Sequence, residues 1–410
     1  MTYLTGVAPT QSSDQDASVN NPLTDKAFVM PIAPRPELCF TQGKGHYLFD
    51  QNGKQYLDMV QGWAVNTLGH SPDLIQQALI AQSQQLINPG PGFYNQPMIE
   101  LAKTLCSNSD FDQAFFANSG AEANEGAIKL ARKWGQIHKQ GAFKIITFEQ
   151  SFHGRTLATM SATGKATFAS LFEPKVSGFS KAPYNDLAAT EAVIDQHTVA
   201  IMLELVQGEA GVIPADSDFV KGLEALCKKH NLLLIIDEVQ TGIGRTGNLF
   251  AYQGYDIQPD IMTLGKGLGG GVPISALLTK TEHSCFEYGD QGGTYNGNPL
   301  MCSVSHAVVN KVLEQGFLAN VEQMSLLLSQ KLTELSKQYS LGSVRGKGLL
   351  IALDAAELSA PQLVDKAREL GLLLNAPNER TLRFMPALNL TEKQIDECCT
   401  ILSKAIEAIN

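Results

Sequence analysis

The middle of the chain sets short apolar runs against longer stretches in which apolar residues recur at helical spacing. QAFFAN, FKIITFE, TVAIMLELV, LLLIID, PDIMTLGK and PISALLTK have the length and composition of strands. SGAEANEGAIKLARKWGQIHKQG, closed by Gly141, and DFVKGLEALCKKHN have the spacing of helices. Strands without a polar face, alternating with helices, predict an α/β fold built on a mainly parallel sheet covered on both sides. Ligands of such sheets gather at the carboxyl ends of the strands.

The flanks read differently. LCFTQGKGHYLFDQNGKQYLDMV alternates in two segments around DQNGK, a hairpin pattern. A helix is expected from Asp73, with Leu74, Ala78, Ile80, Ala81 and Leu86 as its apolar positions, stopped by NPGPGF. Residues 1–25 have no period and are expected to form a loosely docked arm. After Asn298 a long helix is expected, then an α+β tail from near Phe317 with SVRGKGLLIAL, ELGLLLNA and TLRFMPAL as strands. A final helix follows Thr391 as its cap. Residues 76–309 are thus expected to form a large domain, and residues 1–75 and 310–410 a smaller α+β one.

Composition narrows the function. With 410 residues, 44% hydrophobic and a net charge of -10, the chain has enough apolar residues for a sizeable core and an acidic balance. That balance argues against nucleic acid or an anionic membrane as the main partner. No apolar run approaches the roughly 20 residues of a spanning helix, and no secretory signal is visible, so the cytoplasm is the expected location. The seven cysteines are scattered without a CxxC pair, which predicts reduced thiols and neither a disulfide framework nor a zinc site.

Four segments can carry chemistry. In LLLIIDEVQTGIGRTG an apolar strand ends on Asp237 and Glu238, and a buried carboxylate needs a cation or hydrogen-bond donors. Asp237 reads either as a cap or as a site residue awaiting such a partner. In TLGKGLGGG, Lys266 follows an apolar strand between glycines that let a ligand approach its amine. Desolvation there would make it a nucleophile toward carbonyls; the alternative is a solvated lysine in a glycine-rich loop. The segment fits neither phosphate-loop pattern. Ser119 and Gly120 open a helix after a strand, as an ordinary N-cap or as a phosphate cup. SFHGRT places an aromatic near Arg155, which suits a flat cofactor beside a carboxylate-bearing substrate. Pyridoxal phosphate would use all four: an amine to hold it, a carboxylate at its ring nitrogen, a phosphate cup and an aromatic face.

From about Gln42 to its end the chain resembles the class III, ornithine-type aminotransferases among the fold-type I pyridoxal-phosphate enzymes. The resemblance is carried in order by YLDMVQGWAVNTLGH, NSGAEANEGAIKLAR, SFHGRT, ELVQGEAGV, IIDEVQTGIGRTG, TLGKGLGGGVPISALL, GGTYNGNPL, VRGKGLL and LRFMPAL. Within the class it is most similar to the acetylornithine subfamily of bacterial arginine biosynthesis. This implies transfer of the terminal amine of N-acetylornithine to 2-oxoglutarate, giving N-acetylglutamate 5-semialdehyde and glutamate. Succinylornithine, ornithine or 4-aminobutyrate as donor, an aminomutase on the same scaffold, and a non-catalytic relative are the alternatives.

The resemblance also implies roles. Lys266 would hold pyridoxal 5'-phosphate and shuttle a proton, and Asp237 would face the ring nitrogen. Val239 and Phe152 would pack on the two ring faces, and Gln240 would bind the phenolic oxygen. Ser119, Gly120 and Ala121 would form the phosphate cup, completed by Thr294 of a neighbouring subunit in a homodimer. Arg155 would bind one substrate carboxylate and Arg383 the α-carboxylate of 2-oxoglutarate or glutamate, with Glu209 neutralising Arg383 while the acylated ornithine is present. Leu205 stands where the family usually has proline, which would relax that loop while leaving Gln207 and Glu209 in register. Gly293 stands where serine is common, beside the acyl group.

Overall fold

The six apolar runs and a seventh strand not singled out in the sequence, Phe179–Ala182, pair into one sheet in this computed structural model, which describes residues 22–409. In chain order the strands are β1 (Gln113–Ala117), β2 (Lys144–Phe148), β3 (Phe179–Ala182), β4 (Thr198–Leu203), β5 (Leu233–Asp237), β6 (Ile261–Leu264) and β7 (Ser275–Thr279). Across the sheet they stand in the order β1-β7-β6-β5-β4-β2-β3. All run parallel except β7, antiparallel to both β6 and β1. The reversal has a covalent reason: residues 265–274 between β6 and β7 are too few for a parallel crossover, which needs about a dozen or more.

Every residue of β5 is buried, because helices and loops cover both faces. The side chains sort by alternation: Leu234 and Ile236 join one core, Leu233 and Ile235 the other. Helix α1 (Gly120–His138) lays Ala127, Ile128, Ala131 and Trp134 on the second of these faces. This fully covered sheet is the α/β frame expected from the strand and helix alternation.

A third core lies in the C-terminal part. There Val344–Lys347, Leu350–Asp354, Thr381–Phe384 and Asn375–Asn378 form an antiparallel sheet. Phe317–Tyr339, a helix not distinguished within the expected tail, buries Val321, Met324, Leu328, Leu332 and Leu335 at three- and four-residue spacing. The DQNGK hairpin forms between Tyr47–Asp50 and Gln55–Asp58, and Leu372–Leu373 adds to it in parallel, so both ends of the chain share a sheet. The expected N-terminal arm lies outside the described residues, apart from the start of the 3-10 turn Pro22–Phe28. All seven cysteines are free thiols.

Candidate active site

Sites in such sheets are made where strands end and the backbone must turn, and here five turns converge. β5 ends on Asp237; β6 is followed by Gly265 and Lys266; β1 leads into the N-terminus of α1 at Ser119–Ala121. The segment from Phe152 to Arg155 follows β2, and the stretch from Glu204 to Glu209 follows β4. Together they line a cavity of about 250 Å³ that takes in Lys266, Asp237, Val239 and Gln240 from two strand ends. Gly120, Ala121, Phe152, Arg155 and Glu209 close it. Of the other residues singled out in the sequence, Ser119 caps the adjoining helix and Arg383 adjoins the cavity through its pairing with Glu209. Thr294 and Gly293 do not line this chain's own cavity.

Asp237 is 3% exposed, yet it is not left without donors. Its Oδ2 accepts from Asn124 Nδ2 at 2.8 Å and from His153 Nδ1 at 2.8 Å, and its Oδ1 from the Val239 amide at 3.0 Å. Asn124 is itself fixed: it donates to the His153 carbonyl at 2.7 Å and accepts from the Thr263 hydroxyl at 2.6 Å. Neutral donors and a histidine thus meet part of what this dry carboxylate needs. Asn124 is not marked out by the motifs, and His153 in SFHGRT reads from sequence as core or loop packing; the structure buries it on Asp237. The signal for Asn124 was present, since it is the polar member of the buried stripe Ala123, Asn124, Ala127, Ile128 and Ala131.

Lys266 sits at φ 42, a left-handed conformation that costs a non-glycine residue energy and is held here by the surrounding turn. The next residue's carbonyl accepts from Thr67 Oγ1 at 2.8 Å. Burial, and then the nearby Arg383 guanidinium, lower the amine to about 8 against the opposing pull of Glu209, Asp237 and Glu204. Glu204 is pushed the other way, well above the usual carboxylate range, by burial and by Asp237, although its Oε2 accepts from the Phe152 amide at 2.9 Å.

The far wall is an ion-pair chain. Arg383 is fully buried; its Nη2 donates to Glu209 Oε1 at 2.8 Å, its Nη1 to the Gly208 carbonyl at 2.7 Å and its Nε to Asn375 Oδ1 at 2.9 Å. Glu209 also accepts from Lys165, a residue the sequence reading did not single out, at 2.6 Å. Burial raises Glu209, but Arg383 and Lys165 outweigh it and bring the carboxyl down to about 2. Arg155 is exposed and stacks over Phe168 at 5.2 Å, with no ion pair among the described residues. Leu205 is buried, and its carbonyl accepts from the Ala215 amide at 2.9 Å and Tyr255 Oη at 3.2 Å. These contacts hold the loop despite the absent proline. Glu238 caps the turn at Ala251 and Tyr252, accepting from both amides, at 2.6 and 2.8 Å.

A buried amine at one strand end, a carboxylate at the next and the Arg155 guanidinium thus face one cavity, which Arg383 adjoins through Glu209. The family described as aminotransferase class-III matches residues 31–406. The chain belongs to the class-III aminotransferases. An acetylornithine aminotransferase of Ralstonia nicotianae is 58% identical over 387 residues, covering 93% of this chain and 97% of its own. A succinylornithine transaminase of Yersinia pseudotuberculosis is 39% identical over 404 residues, covering 95% and 98%. Among solved structures, the N-acetylornithine aminotransferase of Stenotrophomonas maltophilia aligns with a TM-score of 0.81 at 33% identity over 94% of this chain and 99% of that one.

Class-III aminotransferases are pyridoxal-phosphate enzymes, and the cavity fits that group. Gly120 forms a cradle that a side chain would fill: a Cβ there would stand 2.5 Å from Val239 Cγ1. The buried Gln240 Nε2 has no acceptor among the described residues, which leaves a donor for a ligand oxygen. The first amides of α1 have no intrahelical acceptors and stand at the positive end of the helix, where phosphate is favoured. No helix among the described residues is long and apolar enough to cross a membrane, and no cluster there could hold a metal ion.

Proposed function

We propose that this aminotransferase moves the terminal amine of N-acetylornithine to 2-oxoglutarate. The observation that carries the reading is the pairing of Arg383 with Glu209 across the cavity from Arg155, which leaves one guanidinium open and one neutralised. A donor with a single carboxylate and an uncharged acyl arm needs the first state. A dicarboxylate acceptor needs both arginines. The 58% identity to an acetylornithine aminotransferase supports this donor, while the 39% relative that acts on succinylornithine makes that compound the second reading.

Bound pyridoxal phosphate supplies an electron sink for the pair left when a proton departs from the amine-bearing carbon. Lys266 would hold the cofactor, and its Nζ would take that proton and later return one. A partly deprotonated amine suits both duties. Asp237, fixed by Asn124 and His153, would face the ring nitrogen. Val239 and Phe152 would hold the ring between them, Gln240 would bind the phenolic oxygen, and Ser119, Gly120 and Ala121 would take the phosphate. Arg155 binds the α-carboxylate of the donor and then the distal carboxylate of 2-oxoglutarate.

The working unit is read as a homodimer in which Thr294 of the neighbouring subunit completes the phosphate cup and Gly293 borders the acyl arm. Supporting this, Thr294 is exposed in the single chain, beside Tyr295 at 63% exposure, and Phe93 and Tyr94 are 70% and 87% exposed. Aromatic residues left in water on a folded chain mark an interaction face.

The test is a panel of half-reactions that follows the cofactor spectrum as N-acetylornithine, N-succinylornithine, ornithine and 4-aminobutyrate are added. N-acetylornithine should react fastest, and 2-oxoglutarate should then restore the starting spectrum. Faster reaction of 4-aminobutyrate, or failure of 2-oxoglutarate to restore it, overturns the reading.

A further inference from the structure

Glu209 touches two cations at once, one through each oxygen. Oε1 accepts from Arg383 and Oε2 from Lys165. The two cations differ in freedom. Arg383 is fully buried, bonded through Nη1 and Nε to Gly208 and Asn375, and set over the Trp63 ring at 5.5 Å. It cannot follow a moving carboxylate. Lys165 keeps 24% of its side chain exposed and lies over the Phe152 ring at 5.3 Å. Its backbone is anchored through Gly164, whose amide donates to the Ser151 carbonyl at 3.1 Å and whose carbonyl accepts from the Gln150 amide at 3.0 Å. Only the four-carbon stem and its ammonium are left to move.

When a dicarboxylate arrives at Arg383, its carboxylate takes the place of Glu209 Oε1. The expelled carboxylate is three-quarters buried and stands beside the newcomer of like charge, an arrangement that is costly unless a cation stays with it. We propose that Lys165 is the second seat of the Glu209 gate. On this reading, Glu209 lets go of Arg383 and stays on the Lys165 ammonium, still ionised, whenever a substrate carboxylate occupies the guanidinium. Lys165 is then a positioning residue: it shares Glu209 with Arg383 in the donor half and holds it alone in the acceptor half. The inference deepens the proposed Arg383–Glu209 gate and rests on it. An ammonium suits a moving partner better than a guanidinium, because it attracts without a fixed two-pronged geometry.

The test uses the holoenzyme and glutarate, a dicarboxylate with no group to transfer, with its dissociation constant read by titration calorimetry. Lys165→Gln should weaken glutarate about tenfold and raise the half-saturating concentration of 2-oxoglutarate by a similar factor. The half-reaction with N-acetylornithine should stay within about twofold, as for a charge on the rim of a site. Lys165→Arg should recover most of the loss. Glu209→Gln, by removing the carboxylate that competes for Arg383, should tighten glutarate, and adding Lys165→Gln to it should change nothing more. If Lys165→Gln weakens glutarate equally in the Glu209→Gln background, Lys165 binds the substrate directly and the proposal is overturned. It is also overturned, with the gate intact, if Glu209→Gln tightens glutarate while Lys165→Gln leaves it unchanged. If Glu209→Gln itself has no effect, the gate reading fails first.

Discussion

Gly120→Ala is the smallest change that should empty the site. The Cβ it adds would stand 2.5 Å from Val239 Cγ1, 3.0 Å from Cγ2 and 3.4 Å from Cβ. Ordinary carbon contacts lie near 3.5–4.0 Å, so Val239 must yield by about 1 Å. It cannot yield freely, because Gly265 backs it: a Cβ on that residue would already be 3.2 Å from Val239 Cγ1 and 3.3 Å from Gly120 Cα. The displaced valine therefore moves into the cavity, on the wall where the cofactor ring is proposed to pack. Forced overpacking of this kind costs about 1–3 kcal/mol, which converts to a cofactor affinity lower by roughly 5- to 150-fold. The assay is equilibrium dialysis of the apoenzyme against pyridoxal phosphate, with far-ultraviolet dichroism to show that the fold is kept. Val239→Ala removes the obstructing methyls and should restore most of the affinity in the double variant. Unchanged affinity in Gly120→Ala, or a double variant no better than the single, would refute the cradle.

Other outcomes follow from the same geometry. Asp237→Asn should keep bound cofactor but lose turnover by more than about a hundredfold in a steady-state assay, because the charge at the ring nitrogen is gone; near-normal turnover contradicts the assignment. Asn124→Ala would leave the buried Thr263 hydroxyl and His153 carbonyl without their partners. It should lower the unfolding free energy by roughly 2–4 kcal/mol in denaturant titration. Lys266 is a neutral nucleophile above its lowered value, so reloading of the apoenzyme should quicken as pH rises through about 8, and not near the ordinary 10.5. Glu209 is held below its ordinary 4.5, so its stabilising contribution is complete above that value and fades as pH falls toward about 2. The difference in denaturation midpoint between the wild type and Glu209→Gln should shrink across that acid window and stay level above it.

What the sequence determined by itself was local. Runs such as LLLIID and TVAIMLELV have no polar face, and a strand apolar on both faces can only be a covered one, so the α/β class followed from composition and period. The strand-end positions of Asp237 and Lys266 were equally legible, because a carboxylate or amine closing an apolar run is a local anomaly. The motifs around them placed the chain among its relatives. The direction of β7 depended on connection length, which a covered strand pattern does not record. The tertiary structure alone decided which distant side chains meet. Asn124 comes from helix α1 and His153 from the turn after β2, 113 and 84 residues before Asp237, and only strand order brings them to one oxygen. Lys165 and Arg383 reach Glu209 from 44 and 174 residues away. Hydrogen bonding and Coulomb attraction act over a few ångströms of space, and separation along the chain carries no information about that distance until the fold has closed it.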